Sequence, residues 1–214
     1  GWWDEKGVGG GEGGISRSRR AVYISPSKAL CEERYMDWSR RLAEIDPGLK
    51  VAQVTGDAGQ GSYRDIASAH VIVTTPEKWD GITRRWNDHV YLIGSVKLLM
   101  IDEVHLLGDE SRGCTLEAVL CRMKTVQRAT RLRAGLRSAA AGDSNGDLPA
   151  VLAAGTTKEA LRSDMRIVAV SATLPNIADI ATFIEADHAY SFDSSYRPVP
   201  LEVHVSGQGF VGKN

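Results

Sequence analysis

"LLMIDEVHLLGDES", residues 98–111, runs four apolar residues straight into two carboxylates and places a histidine two positions later. The apolar run has the length of a strand buried on both faces, and the acids stand at its carboxyl end. Working outward, the same texture recurs on either side. "AVYIS" at 21–25 reads as a buried strand, with Ser25 as N-cap and Pro26 in the first turn of a helix. Cys31, Tyr35, Trp38, Leu42 and Ile45 form one apolar stripe along that helix, which closes at "DPG". "KVAQVT" precedes a polar turn and short helix, "HVIVTT" a helix opening at Pro76, and "KLLMID" a helix through Leu116, Val119, Met123 and Val126. "RIVAVSA" precedes a last helix with Asn176 as N-cap and Asp179 three residues on, its Ile177, Ile180 and Ile184 on one face. Short apolar runs alternating with amphipathic helices predict an α/β fold, a parallel sheet with helices on both faces. In such a sheet the chemistry sits just beyond the carboxyl ends of the strands.

The bulk numbers fit one sizeable core: 214 residues, 43% hydrophobic and 25% charged. A formal net charge of -1 gives no ground for a global electrostatic pull toward nucleic acid or membrane and leaves local patches open. Cys31, Cys114 and Cys121 form no CxxC pair, which argues against a disulfide framework or zinc site and for a reducing compartment; Cys114 and Cys121 could share a helix face but read as small buried hydrophobes. No run approaches 18 apolar residues, and "GWWDEKGVGGGEGG" lacks the layout of a signal peptide, so the expectation is a soluble intracellular protein. Residues 1–20 read as a flexible glycine-rich leader, 21–192 as the sheet domain, and 193–214 as a linker leaving it. Within the domain, 131–164 joins helix to strand across more residues than such a connection needs and reads as a mobile insertion around "SAAAGDSNGD".

Several stretches carry chemistry. An aspartate placed like Asp102 can organise a magnesium ion, and a neighbouring glutamate can orient and deprotonate a water. Alone, four letters such as DEVH describe any solvated strand end; after a buried strand in an α/β pattern they point to a site. "VSATLPN" at 170–176 puts Ser171 and Thr173 at another strand end, where by itself a capped strand-to-helix turn, with Pro175 and Asn176, is the better explanation. "TTPEKWD" at 74–80 and "SPSKAL" at 25–30 share one arrangement: strand end, proline, helix start, lysine. Each alone reads as plain helix capping; because helix starts expose amides that suit phosphate oxygens, two on one sheet edge suggest a track for a phosphate backbone.

"YISPSKALCEER", "TGD" at 55–57, "TTPEKWD", "IDEVH", "SATLPN" and "SYRPVPL" occur in the order and at about the separations of the first motor domain of superfamily 2 helicases. The resemblance is to the Ski-like DExH class and covers about residues 21–205, interrupted by 131–164. Within it, "TTPEKWDGITRRW" and "IDEVHLLGDESRGCTLEAVLCRMKTVQ" look most like the meiotic crossover-promoting DNA helicases, and less like the spliceosomal and exosome-associated RNA helicases. It implies a RecA-like fold, ATP and Mg2+ as cofactors, and an ATP-hydrolysing enzyme that moves three-prime to five-prime on single-stranded or branched DNA in the nucleus. Residue by residue, Asp102 would organise magnesium, Glu103 would be the general base, and His105, Ser171 and Thr173 would couple nucleotide state to movement. Pro26, Lys28, Arg34, Thr75, Pro76, Glu77 and Lys78 would line the strand's path. Arg197, Pro198 and Pro200 match the segment by which relatives cross into a second motor domain, the partner expected in the parent protein.

The sequence departs from the pattern at one point. GxxxxGK[ST] does not occur upstream of "AVYIS", so the sheet is expected to be incomplete at its N-terminal strand, at the sheet centre. The near match "GQGFVGKN", Gly207–Asn214, ends in Asn214 where a hydroxyl is needed and lies on the wrong side of the acid pair. The expectation is therefore part of a helicase motor domain, with little ATPase activity of its own and doubtful ATP binding. The alternatives are a catalytically silent nucleic-acid-binding module, an RNA helicase of the same class, and a remnant that serves protein interaction.

Overall fold

The computed structural model describes residues 19–56, 63–142, 165–172, 174–199 and 204. The chain divides into two units, residues 1–175 and 176–214, a boundary inside the segment taken above as one domain.

In the first unit the strands are β1 (Arg20–Ile24), β2 (Val51–Val54), β3 (Val71–Thr74), β4 (Val96–Ile101) and β5 (Arg166–Ala169). They form one five-stranded sheet in the order β2-β3-β1-β4-β5, and every pairing is parallel. The strands are contiguous, so no gap opens at the centre. Among the described residues β2 and β5 are the two edges. A further strand could therefore pair only outside one of these edges, not in the middle as the sequence suggested.

The helices are α1 (Lys28–Ile45), α2 (Tyr63–Ser68), α3 (Pro76–Arg84), α4 (Val90–Gly94) and α5 (Gly113–Gly142). α1 begins two residues later than the sequence suggested. Ser25 stays with the sheet, its N–H donating to Thr74 O at 2.9 Å, and Ser27 becomes the cap, extended at φ -135° and accepting from Leu30 N at 3.2 Å. α1 lies over the face that carries Tyr23 and Val73, where Cys31 is buried with them and Trp38 packs alongside. The far end of its stripe is uncovered: Ile45 is 77% exposed.

On the opposite face Val22, Ile24, Ile72, Leu99 and Ile101 are fully buried. Leu116, Val119, Leu120 and Met123 of α5 and Trp79 of α3 are buried as well, each apolar side chain stabilising the fold by about 1.5–3 kcal/mol relative to exposure. Polar cross-links fix these helices. Gln127 Nε2 donates to Ile93 O at 2.6 Å and Val96 O at 2.8 Å, which ties α5 to α4 and β4. Arg122 Nη1 reaches Asp80 Oδ1 and Thr83 Oγ1, both at 2.8 Å, while Arg84 Nε takes Asp80 Oδ2 at 2.6 Å.

α4 has only five residues, too few for periodicity to reveal it, and was not foreseen. α5 runs on to Gly142, so the start of the 131–164 segment continues a helix; residues 143–164 lie outside the described residues. Cys114 and Cys121 are exposed, against expectation, because seven residues apart on α5 they share the face turned away from Leu116 and Met123. The second unit contains α6 (Ile177–Phe183), with Asn176 at its N-cap and Asp179 in its first turn as expected. Its Ile184 is buried, but Ile177 is 38% exposed. No helix among the described residues is long and apolar enough to cross a membrane.

Arg20 pins the base of the sheet. Its guanidinium is buried and donates from Nε to Ala69 O at 3.1 Å, from Nη1 to Ser95 Oγ at 2.5 Å, and from Nη2 to Ala67 O. One side chain thus joins β1 to the segments entering β3 and β4. Arg20→Met keeps the aliphatic volume and strips these donors, leaving acceptors unpaired, so the urea midpoint should fall by the equivalent of about 2–3 kcal/mol. An unchanged midpoint would show that water replaces the guanidinium at no cost.

Candidate nucleotide and nucleic-acid site

Because all five strands run the same way, their carboxyl ends share one sheet edge, about 5 Å apart from neighbour to neighbour. Along that edge stand Thr55 after β2, Thr75 to Lys78 after β3, Ser25 to Lys28 after β1, Asp102 to His105 after β4 and Ser171 after β5. The strand order therefore interleaves the stretches differently from the chain. "SPSK" stands between "TPEK" and "DEVH", joined to them by Ser25 N to Thr74 O and by Asp102 N to Ile24 O, each 2.9 Å.

Asp102 is held from two sides. Tyr23 Oη donates to its Oδ2 at 2.5 Å, and the backbone N–H of Glu103 donates to its Oδ1 at 3.1 Å. Burial, and then the Asp102 carboxylate, push the Tyr23 phenol up to about 12, so at neutral pH it is protonated and donates. Glu103 takes a left-handed backbone, φ 54° and ψ 53°, a conformation that costs a residue with a Cβ about 1–2 kcal/mol. The neighbouring structure over-determines it: Val104 N donates to Val170 O at 3.0 Å and Val170 N to Ile101 O at 2.9 Å, after which 104–108 form a 3-10 turn. That strained turn swings the Glu103 carboxylate toward His105.

His105 Nδ1 lies 3.1 Å from Glu103 Oε2 and 3.1 Å from Ser171 Oγ. This nitrogen carries either one proton or one lone pair. As N–H it donates to Glu103, which otherwise has no partner for Oε2; as a bare nitrogen it accepts from the Ser171 hydroxyl. The three residues thus meet at one atom. Thr173 lies outside the described residues, as does Pro200; Arg197 and Pro198 fall in the second unit.

The residues expected along a nucleic-acid path divide by exposure. Lys28 and Glu77 are exposed, Pro26, Arg34 and Lys78 half-buried, but Thr75 and Pro76 are buried and can offer a ligand little beyond backbone. Thr75 does not cap α3 through its side chain. Arg112 fills a role that the sequence reading missed. Its Nε and Nη2 grip Glu77 Oε1 at 2.8 and 2.7 Å, joining the start of α3 to the loop before α5. Burial alone would raise the Glu77 carboxyl; the amide of Glu77 itself, Arg112 and Thr75 outweigh it and hold the group below the usual carboxylate range. Glu77 is thus an ionised carboxylate whose charge is offset by Arg112. The signal for Arg112 was in "DESRG", and for Tyr23 in "AVYIS", but neither residue shows its partner in sequence.

The sheet and its acid-bearing edge define a RecA-like domain, and solved helicases share the fold: the DUF1998 helicase MrfA superposes on 78% of this chain and 22% of its own, with TM-score 0.53 at 20% identity. The chain belongs to the DEAD/DEAH box helicase family, whose model matches residues 14–180. It is 40% identical over 192 residues to the probable ATP-dependent DNA helicase HFM1 of Homo sapiens, covering 88% of this chain and 12% of that protein. It is 38% identical over 197 residues to activating signal cointegrator 1 complex subunit 3 of Gallus gallus, covering 91% of this chain and 7% of that protein. The chain therefore spans a small part of the length of these relatives.

Proposed function

We propose that these residues are part of the first motor domain of an ATP-dependent DNA helicase that translocates three-prime to five-prime and acts in the nucleus, in meiotic recombination. The observation that carries the reading is the edge itself: a doubly held aspartate, a glutamate meeting a histidine, and two lysine-bearing helix starts on adjacent strands. The 40% identity to a probable ATP-dependent DNA helicase supports the choice of DNA, as does the DNA-bound and AMPPNP-bound form in which MrfA has been solved.

Asp102 fits a hard cation that takes one protein carboxylate and keeps its waters, since both of its oxygens retain an unused lone pair beside Tyr23 and Glu103 N. Among the described residues no three His, Cys, Asp or Glu side chains gather as they would in an all-protein metal cage. Magnesium, when bound, would neutralise charge on the phosphates. Glu103 would accept a proton from the attacking water, and His105 would pass the state of that site to Ser171 and β5. Binding of ATP itself is a separate matter. GxxxxGK[ST] does not occur in the 214 residues, so this polypeptide alone should show little or no ATPase activity, as a coupled assay with single-stranded DNA would establish.

Strand binding does not need ATP. If Lys28, Arg34 and Lys78 each neutralise a phosphate, log K for single-stranded DNA should fall with log salt at a slope of about -2, or about -0.7 per contact. Lys78→Ala should flatten the slope by about 0.7 and weaken all sequences alike. A slope near zero, or binding that depends on sequence, would count against a backbone track.

A further inference from the structure

Tyr23 contacts Asp102 with its hydroxyl and the buried face of α1 with its ring. The hydroxyl donates to Asp102 Oδ2 at 2.5 Å. The ring packs edge-on to Trp38 of α1, centroids 4.9 Å apart and planes at 66°, inside a cluster with Cys31, Val73 and Met100. Arg34, one turn before Trp38 on α1, faces the same hydroxyl and opposes the rise in its pKa. The helix expected to carry the strand thus reaches the carboxylate expected to carry the metal through one residue.

We propose that Tyr23 is a positioning residue: it fixes the rotamer of Asp102 and couples it to α1. The proposal rests on the reading of Asp102 as the magnesium-organising group. A carboxylate attached by two rotatable bonds samples several orientations unless its second oxygen is pinned, and the Glu103 amide pins only Oδ1. Tyr23 supplies the other constraint. Because the ring is locked by Trp38 and Cys31, a shift of α1 on binding a strand moves the hydroxyl and with it Oδ2. Outer partners of this kind tune metal affinity without contacting the metal.

Tyr23→Phe removes one oxygen and keeps the ring in its cluster, so the domain should melt within a few degrees of the parent. In the intact helicase carrying these residues, single-strand-stimulated ATP hydrolysis is followed against magnesium concentration. The half-activating concentration should rise about tenfold, while the rate at saturating magnesium falls by less than about threefold. An unchanged half-activating concentration, or an equal loss of rate at every magnesium concentration, would overturn the proposal and leave Tyr23 a packing residue. Asp102→Asn, measured in parallel, separates the two levels. If it retains full activity with unaltered magnesium dependence, the metal reading fails and the positioning role falls with it. If it is inactive while Tyr23→Phe behaves as parent, only the positioning role is lost.

Discussion

Glu103→Gln should lower strand-stimulated ATP hydrolysis by the intact helicase about a hundredfold to ten-thousandfold, the range associated with losing a positioned general base. The substitution is close to isosteric and keeps the left-handed turn, so the change is chemical rather than conformational. An amide cannot take the proton of an attacking water. It can still accept from His105 Nδ1, 3.1 Å from the present Oε2, so the contact between residues 103 and 105 survives. Nucleotide and strand affinities should consequently stay near those of the parent, and the loss should fall on kcat. Turnover within a few-fold of parent would remove Glu103 from the chemistry.

The second large effect concerns a residue with no chemistry. A Cβ on Gly113 would meet Leu107 O at 2.5 Å and Leu106 O at 3.0 Å, both backbone atoms of the turn that carries His105. Backbone cannot swing aside as a flexible side chain can. In a helix interior alanine would gain about 1 kcal/mol over glycine, but Gly113 opens α5, where that gain is smaller. Overpacking should win, and Gly113→Ala should destabilise the domain by about 2–3 kcal/mol, seen as a lower urea midpoint at unchanged m value. The same push displaces the turn and the adjacent Arg112, so the grip on Glu77 should loosen as well. A midpoint equal to or above the parent's would mean that residues 106–108 yield more readily than their hydrogen bonds suggest.

Both variants act on features that differ in how openly the chain displays them. Glu103 announces itself, because a four-residue apolar run ending in two acids can be recognised without knowing what lies beside it. Gly113 does not; "SRGCT" offers a glycine before a helix, and only the approach of Leu107 O shows why it has no side chain. Ser25 is an intermediate case. Local preference made it the obvious cap, but its N–H was already committed to Thr74 O across the sheet, and the cap passed to Ser27.

The sequence by itself determined the five strands, the amphipathic helices between most of them and the parallel class of the sheet. It also placed the acid pair at a strand end, since each of these follows from periodicity and punctuation within a dozen or so residues. The tertiary structure alone decided the order β2-β3-β1-β4-β5, the contact of Tyr23 with Asp102 across 79 residues and that of Arg112 with Glu77 across 35. Those depend on which strands pair and which helix faces meet. That choice is made by the burial of the whole core, to which no single stretch of chain holds the key.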